Sequence, residues 1–310
     1  MLGKRGCKLI SDLLGKLSLP YHESFPLGSS TTMGVGGRAE FLVSPFSLKD
    51  LLLIQRYRSE EELPVVLLGG GSNIIFTGEK VEGLVVSTLN LNELRVTRSS
   101  GKVRIVCGAG LSLRRLLGVT LSGGVEGLEF SIGIPGTLGG ALCGNAGVRG
   151  HSISEVIDWV ELIEPGGELK KLSRDQIRWG YRHSDLGEGS SIVYRCGMTL
   201  KSGDPEVIRH NCLIWWNRRG TQPYDHKSAG CIFKNPVGHS AGRLLDSCGC
   251  KGLRKGDALV SEKHANFIVN IGHANYDEVL YLIRECRRRV YERTGIMLEL
   301  EVKLIGNEAL

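Results

Sequence analysis

Three short groups of residues carry side chains suited to charge or proton chemistry. Tyr181-Arg182-His183-Ser184 lies in a loop after Trp179-Gly180. An arginine there can hold a carboxylate through two parallel hydrogen bonds or stabilise an oxyanion; a plain surface arginine fits the same motif. Ser228-Ala-Gly-Cys-Ile-Phe-Lys-Asn-Pro236 sets the Cys231 thiol in a turn of small residues leading into a strand. An unperturbed thiol, with a pKa of about 8.5, is protonated but labile near neutrality and serves as an acid. Buried structural cysteine is the commoner fate of the residue type. Lastly, Leu298, Leu300, Val302 and Leu304 alternate with Glu299, Glu301 and Lys303. This pattern predicts a final strand with charges on one face, whose ordinary use is a solvated surface.

Positioning such groups requires a scaffold, and the chain is most unusual where it is richest in glycine. Ten of its 43 glycines fall between Gly123 and Gly150. Fixing glycine costs conformational entropy, so this density needs a reason. Backbone without Cβ atoms can bring several N–H groups close to a phosphate; a tight crossing in a β-rich core is the competing explanation. A second bare turn, Gly69-Gly70-Gly71-Ser72-Asn73, ends the apolar run Pro64–Leu68. The two turns could grip one extended diphosphate from two sides. Neither has the spacing of a Rossmann fingerprint or a P-loop.

The chain of 310 residues is long enough for two or three domains. With 41% hydrophobic and 23% charged residues, its composition is that of an ordinary globular protein. A net charge of +6 favours anionic ligands. No Lys/Arg run marks a nucleic-acid surface, Arg287-Arg288-Arg289 sitting inside a helical pattern. Nine scattered cysteines without Cys-x-x-Cys make a zinc site unexpected. No apolar run reaches membrane-spanning or signal-peptide form, so a reduced, cytoplasmic protein is expected. Amphipathic and capping patterns predict helices after Ser47, at 112–121, in the first half of 204–222, at 240–247 and from Asn275 to Gly295. Strands are expected at 39–43, 64–68, 84–87, 103–107 and 156–163, and residues 1–30 are expected to be a short amphipathic start followed by a loop with Pro20, Pro26 and Gly28.

Together these segments resemble a family. Thr31-Thr-Met-Gly-Val-Gly-Gly37, Leu68-Gly-Gly-Gly-Ser-Asn73, Gly133-Ile-Pro-Gly-Thr-Leu-Gly-Gly140, Asn145-Ala-Gly147, Tyr181-Arg-x-Ser184, the Cys231 block, Ser261–Asn270 and Leu298–Val302 occur in its order. It is the UDP-N-acetylenolpyruvoylglucosamine reductases, flavoproteins of bacterial peptidoglycan synthesis. The resemblance implies an α+β FAD-binding fold of the vanillyl-alcohol-oxidase type plus a substrate-binding domain. It places the first FAD subdomain at 1–88, completed by 295–310, the second at 89–205 and the substrate domain at 206–294.

The same resemblance implies a reaction. NADPH supplies a hydride to non-covalently bound FAD, and the enolpyruvyl ether of a UDP-sugar then receives it, followed by a proton. Arg182 and Glu301 take the places of the pair that stabilises the enolate, and Cys231 that of the proton donor, where many relatives carry serine. The cofactor would be held by Gly69, Gly70, Gly71, Ser72, Asn73, Gly133, Ile134, Pro135, Gly136, Thr137, Gly139, Gly140, Asn145, Ala146 and Gly147. The substrate would be met by Tyr181, Arg219, Lys234, Asn235 and His264. The short segment between Arg182 and Cys231 points to the subclass without a tyrosine-bearing loop over the substrate, and Val148-Arg-Gly-His151 departs from the usual pattern. A monomer without nucleic-acid, membrane or metal partners is expected. Other oxidases or dehydrogenases of the same flavin fold, and a non-catalytic nucleotide sensor, are the alternatives.

Overall fold

The computed structural model describes residues 4–306 apart from Ser18, Arg149 and Thr221. Arg149, part of the departure noted above, and the last four residues therefore lie outside the described chain. The chain divides into two compact units, one of residues 1–23, 41–70 and 82–219, the other of 24–40, 71–81 and 220–310.

The first unit is built on an antiparallel sheet. Its strands run in the order Leu169–Ser173, Trp159–Ile163, Ile192–Ser202, Lys102–Gly108, Leu94–Ser99, with Val125–Glu126 also paired to Ile192–Ser202. Along Lys102–Gly108, Val103, Ile105 and Cys107 are buried while Lys102 and Arg104 are exposed, the period of two that a half-covered sheet requires. The buried face packs on the helices Leu113–Ser122, Leu138–Cys143 and Pro205–Asn217 through Leu116, Leu138, Leu142 and Cys212. A second core gathers Ile10, Leu13, Leu51 and Ile54 from two helices over Leu84, Val86, Ile163 and Ile192. The helix Leu48–Glu60 begins where expected, because Ser47 and Asp50 form a reciprocal capping box. Val65–Leu68 pairs in parallel with the end of Lys80–Ser87 and delivers Gly69 and Gly70 at its carboxyl end.

The second unit has a four-stranded antiparallel sheet in the order Lys227–Ser228, Ile268–Asn270, Ala258–Val260, Arg254–Lys255. The helix Tyr276–Thr294 covers it, burying Val279, Ile283, Cys286 and Val290 at helical spacing. Asn275 and Glu278 cap its start, and Gly295, at φ 70°, ends it in the left-handed conformation that glycine adopts without strain. Lys303–Gly306 lies parallel to Ile74–Thr77, Lys303 opposite Ile74, so this late strand and the segment after the first glycine turn form one ribbon.

Local differences from expectation have plain causes. Tyr21–Pro26 is a strand rather than loop, and Leu94–Ser99 was not foreseen. Almost every side chain on both is exposed or half-exposed, so neither carries the apolar alternation that reveals a strand. The last strand is shorter than its alternation implied: only Lys303–Gly306 is regular, and Leu300 makes a single isolated bridge to Phe233.

Candidate active site

In the first unit the two glycine turns touch. A Cβ on Gly70 would lie 2.8 Å from the Gly136 Cα, and one on Gly69 would collide with the Thr137 hydroxyl. Thr137 caps the helix Leu138–Cys143 without a side-chain bond, and its Oγ1 is buried with no hydrogen-bond partner among the described residues. A buried hydroxyl left unpaired costs about 1–3 kcal/mol, a cost a ligand oxygen beside it would remove. Bare backbone, a helix start and an orphaned hydroxyl in one place fit the phosphates of a dinucleotide cofactor. Gly139 has a different local reason to be glycine. Its N–H donates to the Ala109 carbonyl at 2.7 Å, and a Cβ there would sit 2.9 Å from that of Ala109.

Two guanidinium groups bracket the glycine stretch. Arg219, 8% exposed, donates to the Gly133 carbonyl at 3.2 Å. Arg182 donates to the Gly147 carbonyl at 2.7 Å. Arg182 and Tyr181 form the tip of a minimal hairpin, Trp179–Gly180 paired with His183–Ser184. The hairpin is fastened to the same stretch twice. Asn145 Nδ2 donates to the Gly180 carbonyl at 2.9 Å, and the buried Ser184 hydroxyl donates to the Leu142 carbonyl at 2.7 Å. Arg182 has φ 55°, a left-handed conformation that costs a non-glycine residue about 1–3 kcal/mol. Strain of this kind persists only where the surroundings over-determine it, and it gathers at functional sites. Tyr181 is exposed, its ring 5.5 Å from the Arg182 guanidinium carbon. His151 lies against the rings of Phe130 and Trp215 and pairs with Glu155 at 3.1 Å.

The second unit brings Cys231 and Glu301 onto neighbouring segments. Of the eight described cysteines, six are buried, whereas Cys231, like Cys143, keeps partial exposure, as a thiol that meets a ligand must. Gly230, at φ 78°, supplies the sharp turn before it. One residue further on, the Ile232 carbonyl accepts the Glu301 N–H at 2.8 Å, and the Glu299 carbonyl accepts the Lys234 N–H at 2.9 Å. Lys234 Nζ also pairs with the outward-facing Glu299 carboxylate at 3.5 Å. Asn235 Oδ1 accepts from the Ala241 N–H at 2.9 Å, opening the helix Ala241–Ser247. His264 packs edge-on to Phe267, and its Nδ1 accepts from the Asn266 N–H at 3.2 Å. Burial pushes its pKa below the usual histidine value, which keeps the ring neutral.

The first glycine turn continues into this unit. A Cβ on Gly71 would meet the Ser30 carbonyl and come within 2.8 Å of the Thr31 Cα, so close backbone packing also demands glycine there. Asn73 Nδ2 donates to the Glu301 carbonyl at 3.1 Å. Thr32 links the turn to the Cys231 block: its N–H donates to the Gly71 carbonyl at 3.0 Å and its hydroxyl to the Ser228 carbonyl at 2.7 Å. Thr32 and Asn266 both stand in segments that resemble the family, and the contacts of their side chains become evident only in the folded chain.

Residues 39–173 match the model of an FAD-binding domain, and residues 222–305 match that of the C-terminal domain of UDP-N-acetylenolpyruvoylglucosamine reductase. The reductase of that name from Carboxydothermus hydrogenoformans is 35% identical over 96% of this chain and 98% of its own. The second such reductase of Symbiobacterium thermophilum is 40% identical over 91% of both chains. The chain belongs to the UDP-N-acetylenolpyruvoylglucosamine reductase family. The crystal structure of the reductase from Thermus caldophilus superposes with a TM-score of 0.78 at 36% identity, covering 93% of this chain and 99% of that one. The α+β FAD-binding fold expected from the sequence is thus found. Gly69–Gly147 lie within the first matched region and Cys231, Lys234, Asn235, His264 and Glu301 within the second, while Arg182 and Arg219 fall in the stretch between. Among the described residues no helix is long and apolar enough to cross a membrane.

Proposed function

We infer that the chain is an FAD-dependent oxidoreductase that reduces the enolpyruvyl ether of UDP-N-acetylglucosamine to UDP-N-acetylmuramate, with NADPH as hydride donor, in peptidoglycan synthesis. The observation that carries this is the 35% identity to a reductase of that name over 96% of the chain. The cradle of Gly69, Gly70, Gly136 and Thr137 supports the cofactor. We further take the enzyme to be a cytoplasmic monomer, and keep the division 1–88 with 295–310, 89–205 and 206–294 as its domain plan.

FAD, when bound, supplies a hydride carrier between NADPH and the substrate's double bond. Gly69 to Asn73, Gly133 to Thr137, Gly139, Gly140 and Asn145 to Gly147 would hold it. Hydride added to the terminal vinyl carbon turns it into a methyl group and drives an electron pair toward the carboxylate. The Arg182 guanidinium, fixed on the Gly147 carbonyl, is suited to hold that carboxylate as its charge grows. We assign Glu301 to share a proton with the carboxylate, so that the enolate forms as a hydrogen-bonded species. The Cys231 S–H bond then breaks, and its proton goes to the ether-bearing carbon, leaving a thiolate that solvent reprotonates. Tyr181, Arg219, Lys234, Asn235 and His264 are the candidate contacts to the remainder of the UDP-sugar.

Anaerobic mixing tests the whole reading. NADPH should bleach the yellow protein, and the UDP-sugar enolpyruvyl ether should restore the colour at a rate that air alone does not match. Rapid reoxidation by air with no response to the ether would instead favour an oxidase of the same fold.

A further inference from the structure

The segment Ile232–Lys234 lies beside Glu299–Glu301 along one edge only. Its other edge, where a third strand would sit, is met by one residue instead. Asn266 is 3% exposed. Its Oδ1 accepts the Phe233 N–H at 2.9 Å and its Nδ2 donates to the Phe233 carbonyl at 2.8 Å. Its own carbonyl accepts the Ile232 N–H at 2.9 Å. Successive residues of an extended chain turn their polar groups to opposite edges. The carbonyl of Ile232 and the N–H of Lys234 thus serve the Glu301 side, while both polar groups of Phe233 depend on one amide.

We propose that Asn266 is a positioning residue for the proton-donating step: it fixes the segment that directly follows Cys231, whose Ile232 carbonyl accepts the Glu301 N–H. The proposal rests on the reading of Cys231 as the acid. A primary amide is the side chain that fits, since it presents a donor and an acceptor side by side as a strand does. Loss of the donor leaves the Phe233 carbonyl buried without a partner and frees the segment to shift. Misplacing a reacting group by about 1 Å costs on the order of 10²-fold in rate, and the step that needs no proton from Cys231 is spared.

Asn266→Asp keeps the shape and the acceptor but loses the donor, and Asn266→Ser removes most of the bracket. Both are compared as holoenzymes with Cys231→Ala and with the double variant Asn266→Asp/Cys231→Ala. The expected result is flavin bleaching by NADPH within about twofold of wild type, and recolouring by substrate slowed roughly 10- to 100-fold. In the double variant the loss should be no greater than with Cys231→Ala alone, because the two residues act through one step. Wild-type recolouring, additive losses, equal slowing of both half-reactions, or failure of both variants to fold overturns the assignment. A Cys231→Ala enzyme that recolours at the wild-type rate removes the acid reading and this proposal with it. A slow Cys231→Ala beside a normal Asn266→Asp overturns the positioning role alone.

Discussion

Asn73 and Glu301, 228 residues apart, are joined by a hydrogen bond of 3.1 Å from the Asn73 side-chain amide to the Glu301 carbonyl. The Asn73 carbonyl in turn accepts the Lys303 N–H at 2.9 Å. The residue that closes the first glycine turn thus also fixes the backbone of the candidate proton-sharing carboxylate. Asn73→Leu should therefore slow substrate reduction by at least about tenfold, the scale of a misplaced reacting group. Stopped-flow recolouring of the reduced enzyme, set beside flavin content, reads this out. Unchanged recolouring would show that the bond does not govern Glu301.

Glu301 and Glu299 should behave differently. The Glu299 carboxylate is 77% exposed and, among the described residues, pairs with Lys234, a surface pair worth about 0–1 kcal/mol. Glu299→Gln should leave single-turnover reduction of the substrate within about twofold of wild type, in line with that small value. Glu301→Gln should slow it on the order of 10²–10⁴-fold, the range for loss of a positioned acid or base. The reverse ranking in one set of single-turnover traces would refute the assignment.

Cys231→Ser should keep substantial activity, because a hydroxyl can pass on the same proton. Cys231→Ala should bleach normally with NADPH and then recolour on the order of 10²–10⁴-fold slowly. A Cys231→Ala enzyme that recolours at the wild-type rate would return this cysteine to a structural role.

Gly70→Val should yield colourless protein. Its Cβ would press on the Gly136 Cα at 2.8 Å, closing the gap in which bare backbone approaches phosphate. The ratio of flavin to protein absorbance measures this directly, and full flavin content in a folded variant would contradict the cradle.

Stability should carry the mark of His264. Its folded pKa is lowered by burial, so between the folded and the unfolded value of about 6.5 the unfolded chain binds the extra proton. The contribution is complete above about pH 6.5 and is lost as pH falls toward the lower folded value. His264→Gln should flatten that acid limb of the urea midpoint measured from pH 7.5 to 5. A midpoint whose pH dependence is unchanged would contradict the assignment.

The sequence was most legible where local chemistry and global fold agree. Ser47 with Asp50 and Asn275 with Glu278 announce helix starts because each cap is made within four residues. The glycine turns and the blocks around Arg182, Cys231 and Glu301 stand out because tight approach or special chemistry restricts composition. What was hidden depends on partners far along the chain. Nothing near Asn266 discloses that its amide meets Phe233, 33 residues earlier. The exposed strands Tyr21–Pro26 and Leu94–Ser99 lack apolar alternation, and the Gly133 carbonyl that meets Arg219 lies 86 residues earlier in the chain.

With Arg182 in the carboxylate-holding role proposed above, its left-handed backbone sets thermal robustness against turnover at one position. Glycine there would relax φ 55°, and by the usual cost of that conformation would raise stability by up to about 1–3 kcal/mol, while deleting the guanidinium. Laboratory evolution for heat resistance alone should therefore drift toward glycine or asparagine at this hairpin tip and return a hardier, inert protein. Screens seeking a tougher catalyst need to hold this codon fixed and harvest their gains elsewhere.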